Sequence, residues 1–121
     1  MTSSLYKENI LDHYKNPRNF KKLKSFTNNA SLENLTCGDE MEVFLKTEGD
    51  VIQDISFDAR GCAISIAAMS MLSEKVKGKK VSEIKKITDE DILKMLGMEK
   101  ETPRIKCALL GIQTLRKALS S

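Results

Sequence analysis

Tryptophan is absent, histidine occurs once, proline twice, and aromatic residues make up only 5% of the chain. Sparse aromatics, with 20 basic and 17 acidic residues interspersed for a net charge of +3, argue against a nucleic-acid surface. Lys21, Lys22 and Lys24 read instead as a solvated loop. No uncharged run approaches the roughly 20 residues of a transmembrane helix, so no membrane association is expected. The longest, Gly61 to Ser73, reads as a buried element. The opening Met-Thr-Ser-Ser-Leu-Tyr-Lys-Glu lacks a basic region followed by an apolar one, so no signal peptide is expected and the cytoplasm is. Internal repeats and low-complexity tracts are also missing.

What remains is an ordinary globular composition, 40% hydrophobic and 31% charged, over 121 residues. That length suits a single domain spanning residues 1–121. The 3 cysteines cannot pair off, and in a reducing compartment thiols more often bind metal or do chemistry than form disulfides.

Ser3 or Ser4 can cap a first helix running to about Tyr14, which Asn16-Pro17-Arg18-Asn19 ends. A weak strand is expected near Ala30–Asn34. Met41, Val43 and Leu45 alternate along a second strand, and Val51, Gln53, Ile55 and Phe57 along a third, with Glu48-Gly49-Asp50 between them as a hairpin. From about Ser65 to Lys77 the period becomes helical, with Ile64, Ala68, Leu72 and Val76 on one face. Thr88 and Asp91 form a capping box for a short helix stopping at Gly97. Thr102, with Pro103 in the first helical position, opens a last helix to Ala118. The pattern predicts an α+β fold in which a small three-stranded antiparallel sheet packs against helices on one side.

Cys37-Gly38-Asp39 places a thiolate and a carboxylate around a glycine, so that both can converge on one ion. Cys62 follows Gly61 where a strand gives way to a helix, and unpaired N–H groups at a helix start favour a thiolate. Cys107 falls in the first turn of the last helix beside Lys106, so a helix terminus and a cation can both stabilise its thiolate. Three thiolates and a carboxylate suit zinc or an iron–sulfur species. There is no Cys-x-x-Cys knuckle, so only a folded domain can assemble such a site. His13 reads as a packing or capping residue, and Met69 and Met71 as core filler.

Tyr6, Asp12-His13-Tyr14-Lys15-Asn16-Pro17-Arg18-Asn19, Cys37-Gly38-Asp39, Gly61-Cys62-Ala63-Ile64-Ser65 and Pro103 with Lys106-Cys107 stand in an order and spacing that resemble the IscU/NifU-N/SufU family of iron–sulfur cluster assembly proteins. The resemblance implies a scaffold that takes sulfur from a cysteine desulfurase, holds zinc or a 2Fe–2S cluster on Cys37, Asp39, Cys62 and Cys107, and passes the product to acceptor proteins; it implies a carrier rather than an enzyme. For that sulfur, Cys107 is the first candidate acceptor, on its helix start and the adjacent Lys106, with Cys37 the alternative. Lys106 stands where IscU proteins carry histidine, so that Arg104-Ile105-Lys106-Cys107 is more similar to SufU. The insertion that SufU proteins have before the last cysteine is absent. A zinc-dependent sulfurtransferase relaying persulfide sulfur without holding a cluster is therefore the alternative, and a purely structural zinc module comes third. Where IscU carries the Leu-Pro-Pro-Val-Lys motif of an Hsp70-type chaperone, this chain has Glu101-Thr102-Pro103-Arg104-Ile105, with one proline. Chaperone-assisted release is thus not implied.

Overall fold

The computed structural model describes residues 4–34 and 38–120. Three strands, β1 (Asn28–Asn34), β2 (Asp39–Glu48) and β3 (Val51–Arg60), form an antiparallel sheet in the order β1-β2-β3. Met41, Val43 and Leu45 alternate onto one face of β2 and pair across the sheet with Ala59, Phe57 and Ile55 of β3. All three, with Ile55 and Phe57, are buried. On that face lie α2 (Ala63–Val76), packed on β3, and α5 (Ile105–Leu119), packed on β1 and β2. The two helices also pack on each other, and a Cβ at Gly111 would lie 2.9 Å from Met69 Sδ, so the glycine sets how closely they approach. Met69 and Met71 are buried, as core filler should be.

The third strand does not keep the alternation expected of it. Pairing runs Lys46 to Asp54 and then Thr47 to Ile52, which leaves Gln53 as an extra residue. A bulge of this kind reverses the phase of everything before it. Val51 and Gln53 therefore face solvent, while Ile52 is fully buried.

The lysine-rich stretch is solvated at its lysines but is more than a loop. Phe26 packs edge-to-face on Phe44, Leu23 N–H donates to the buried Ser56 hydroxyl at 3.2 Å, and Phe20 bridges to Phe57. The segment thus runs along the outer edge of β3 at Phe20 and covers part of the sheet face opposite the helices at Leu23 and Phe26. Two short helices, α3 (Val81–Ile84), which periodicity did not reveal, and α4 (Asp89–Leu96), complete the connection to α5. The capping box is present: Asp91 N–H donates to Thr88 Oγ1 at 3.2 Å, and Thr88 N–H to Asp91 Oδ2 at 2.9 Å.

Helix α1 (Ser4–Lys15) lies on α2, and the Asp12–Asn19 motif fastens it there. The buried Ser70 hydroxyl accepts Arg18 N–H at 2.8 Å and lies 2.7 Å from His13 Nδ1; Asn19 Nδ2 donates to Ser73 Oγ at 2.8 Å. Arg18 also pairs with Asp12 at 2.7 Å. His13 is accordingly a packing residue, as expected.

Burial and the Arg18 charge hold the His13 imidazole below its ordinary value, against the pull of Asp12 and Glu74. The folded chain therefore prefers neutral His13, whose Nδ1 shares a hydrogen bond with Ser70 Oγ. Stability from this group is present above the unfolded value of about 6.5 and is lost as pH falls through the lowered folded value. Urea melts at pH 7.5 and 5.5 should show a larger loss for wild type than for His13→Asn, whose side-chain amide can bond to the Ser70 hydroxyl without titrating. Equal losses would show that His13 is not the titrating group.

Candidate metal centre

Three elements end or begin at one point below the sheet. Asp39 is the first residue of β2, paired with Asn34, and its place two residues before Met41 turns it to the helix side. Cys62 is the extended N-cap residue of α2, which begins at Ala63 rather than near Ser65. Cys107 is the third residue of α5. That helix begins at Ile105, not at Thr102. Thr102 Oγ1 instead accepts Arg104 N–H at 3.2 Å and Thr102 O accepts Ile105 N–H at 3.2 Å, so Thr102, Pro103 and Arg104 form a separate turn. Cys107 nevertheless lies in the first turn of α5.

One ligand atom each from Asp39, Cys62 and Cys107 lies within 4.8 Å of the others. Asp39 and Cys107 are 2% and 4% exposed, and Cys62 is half-buried. The Cys62 Sγ lies 3.8 Å from Asp39 Oδ2. A tetrahedral zinc with Zn–S of about 2.3 Å separates its ligand atoms by roughly 3.5–3.8 Å, so this pair already stands at a ligand–ligand spacing. Soft thiolates select zinc or iron–sulfur species over magnesium or calcium, and the donor set fits that choice. Cys37, the remaining expected ligand, lies outside the described residues; in the chain it is two positions from Asp39.

Close packing fixes the carboxylate. Cys62 N–H donates to Asp39 Oδ1 at 3.1 Å and the Ser65 hydroxyl to Asp39 Oδ2 at 2.6 Å. A Cβ at Gly61 would lie 2.4 Å from Asp39 Oδ1 and 2.6 Å from its Cγ, and the Gly61 φ of +154° is one that L side chains rarely adopt. The glycine of the Gly-Cys pair therefore makes room for the aspartate of the Cys-Gly-Asp run.

The local field prepares both groups to ionise. Burial pushes the Asp39 carboxyl up, but hydrogen bonds from Ser65, Cys107 and Cys62 outweigh it and leave the group below its ordinary value. Burial likewise pushes the Cys62 thiol up and the Asp39 charge adds to that, yet the Ser65 N–H and hydroxyl and the Cys107 thiol hold it below its ordinary value. Ligands in this state are the ones a metal needs.

Lys106 is exposed and lines a groove with Leu32, Glu33 and Leu109 rather than with Cys62 and Asp39. Neighbours in sequence lie about 100° apart around a helix, so adjacency to Cys107 does not put the ammonium at its sulfur. Sequence reasoning missed Ser65 as a partner of Asp39. The signal available was a serine within an apolar helical run, which in a core asks for a hydrogen-bond partner.

Residues 5–121 match the family model described as the NifU-like N terminal domain. The chain is 34% identical to the zinc-dependent sulfurtransferase SufU of Bacillus subtilis (strain 168), over 97% of this chain and 90% of that protein. It is 40% identical to the iron–sulfur cluster assembly scaffold protein IscU of Aquifex aeolicus (strain VF5), over 94% of this chain and 73% of that one. Among solved structures, FiSufU of Fervidobacterium islandicum AW-1, ascribed an iron–sulfur cluster assembly scaffold role in the SUF system, superposes with a TM-score of 0.79 at 28% identity, covering 93% of this chain and 94% of that chain.

Proposed function

The chain belongs to the family of NifU-like N-terminal domains, and from that premise we propose that it is an iron–sulfur cluster assembly scaffold. It acts as one domain over residues 1–121 in the cytoplasm. Cys37, Asp39, Cys62 and Cys107 hold zinc or a nascent 2Fe–2S cluster, with sulfur delivered by a cysteine desulfurase and the product passed to acceptor proteins. The observation that carries this reading is the convergence of Asp39, Cys62 and Cys107 from three separate elements into one set of ligand atoms. A carboxylate is a harder donor than a thiolate and binds iron–sulfide less firmly, so Asp39 is the corner that opens for transfer. A permanent store would be better served by a fourth cysteine.

Zinc-dependent sulfur transfer is the second reading. Lys106 in place of histidine, within the SufU-like Arg104-Ile105-Lys106-Cys107, favours it, as does the similarity to a zinc-dependent sulfurtransferase. In that reaction a thiolate of this chain attacks the outer sulfur of the desulfurase persulfide, and the desulfurase thiolate leaves. Cys107 has its place in the first turn of α5 in its favour, but its burial to 4% exposure counts against it as the acceptor and keeps Cys37 as the alternative.

Anaerobic reconstitution of the full chain with ferrous iron, cysteine and a cysteine desulfurase tests both. A visible charge-transfer spectrum that co-elutes with the protein is the scaffold result. Retained zinc, no chromophore and an added sulfur on the Cys37 or Cys107 peptide by mass spectrometry would replace the scaffold with the sulfur carrier. Neither chromophore nor added sulfur would end both readings.

A further inference from the structure

We propose that Ser65 is a positioning residue that presents Asp39 to the metal through a single oxygen; the assignment rests on the metal-holding reading above. Ser65 is the third residue of α2 and is 1% exposed. Its surroundings in the chain are Ala63, Ile64, Ile66 and Ala67, where packing alone gives no reason for a hydroxyl. Burying one without a partner costs about 1–3 kcal/mol, so the partner is the reason for the residue. That partner is Asp39 Oδ2, at 2.6 Å.

Both carboxylate oxygens are held from the same helical turn. The N–H of Cys62 takes Oδ1 at 3.1 Å and the hydroxyl of Ser65 takes Oδ2 at 2.6 Å. Two donors on two oxygens stop the carboxylate from rotating about its Cβ–Cγ bond. Oδ2 is also the oxygen that lies 3.8 Å from Cys62 Sγ, and so it faces the thiols. The result is an aspartate oriented to bind through Oδ2 alone, with Oδ1 kept on the backbone. Ser65 carries one hydroxyl hydrogen and has a second acceptor, the Cys107 carbonyl, at 3.2 Å. When Oδ2 gives electron density to a metal and becomes a poorer acceptor, the hydroxyl has this alternative bond to the first turn of α5. Ser65 thereby joins the three elements that supply the site without itself being a ligand.

The test is zinc affinity by competition with a chromophoric chelator, in wild type, Ser65→Ala, and the equal-volume pair Ser65→Thr and Ser65→Val, each repeated with Asp39→Ala. The pair isolates the hydroxyl should alanine loosen the packing. Ser65→Ala and Ser65→Val should bind zinc about 10–100-fold more weakly than wild type and Ser65→Thr, the usual cost of losing an outer partner of a ligand. In the Asp39→Ala background the differences should shrink to the smaller part that the hydroxyl owes to Cys62 Sγ, 3.7 Å away, because no carboxylate remains to be placed. Cobalt(II) in Ser65→Val should show shifted ligand-field bands while the thiolate-to-cobalt absorption keeps its intensity. Equal affinity for the Thr and Val variants, or the same loss with and without Asp39, would overturn the assignment while leaving the metal site in place. A wild-type chain that binds no zinc would overturn the metal reading itself, and this assignment with it.

Discussion

Zinc added to the metal-free chain is expected to raise its melting temperature by roughly 10–20 °C when free zinc exceeds Kd about 1,000-fold. That excess stabilises the folded state by about 4 kcal/mol, and in a domain near this size each kcal/mol moves the midpoint by several degrees. The effect is large because the proposed ligands come from the start of β2, the start of α2 and the first turn of α5, and they are neighbours only in the folded chain. Binding is therefore folding free energy. Without metal, the buried Asp39 charge sits against the Cys62 sulfur, 3.8 Å away, and opposes its ionisation. A cation removes that opposition. The gain should shrink as pH falls, since protons compete for the same sulfur and oxygen atoms. A melting temperature unchanged by zinc at pH 7.5 would mean that the three groups do not form a site.

Gly61→Ala should nearly abolish metal binding, with zinc affinity falling by about 100-fold or more, at or beyond the upper end of what lost outer support costs a site. A methyl group cannot lie 2.4 Å from Asp39 Oδ1 and 2.6 Å from Cγ. Swinging the carboxylate aside does not suffice, because the aspartate Cβ is itself 3.0 Å away. The carboxylate must leave the Cys62 N–H and the Ser65 hydroxyl, or the start of α2 must move and take Cys62 with it. The left-handed backbone adds strain of about 1–3 kcal/mol for a residue with a side chain. Chelator competition reads the first effect and urea melts of the metal-free variant the second. Wild-type zinc affinity in Gly61→Ala would show that the glycine and the aspartate are independent.

Local chemistry made much of this fold legible. The Thr88–Asp91 box, the hairpin about Gly49 and the apolar run after Cys62 each carry their signal within a few residues, and each stands where expected. The hairpin's phase was not legible. One extra residue at Gln53 decides whether Val51 or Ile52 is buried, and a bulge depends on the partner strand, which periodicity does not see. Thr102-Pro103 fits a helix start by composition, yet the two form a turn of their own ahead of α5. At the site, residue types and family motifs picked out Asp39, Cys62 and Cys107, but not the through-space roles of Gly61 and Ser65. Gly61 is far from Asp39 in sequence and Ser65 farther, and each acts by contact alone. Lys106, next to Cys107 in the chain, lines a groove with Leu32 and Glu33, a placement that sequence adjacency does not reveal.

X-ray absorption at the zinc edge of the loaded full chain reads the donor set itself. A site made by Cys37, Asp39, Cys62 and Cys107 should give three sulfur atoms at about 2.3 Å and one oxygen at about 2.0–2.2 Å, with one sulfur lost in Cys62→Ser and in Cys107→Ser. Two or fewer sulfur atoms in the wild-type chain, or a shell unchanged by either substitution, would contradict it.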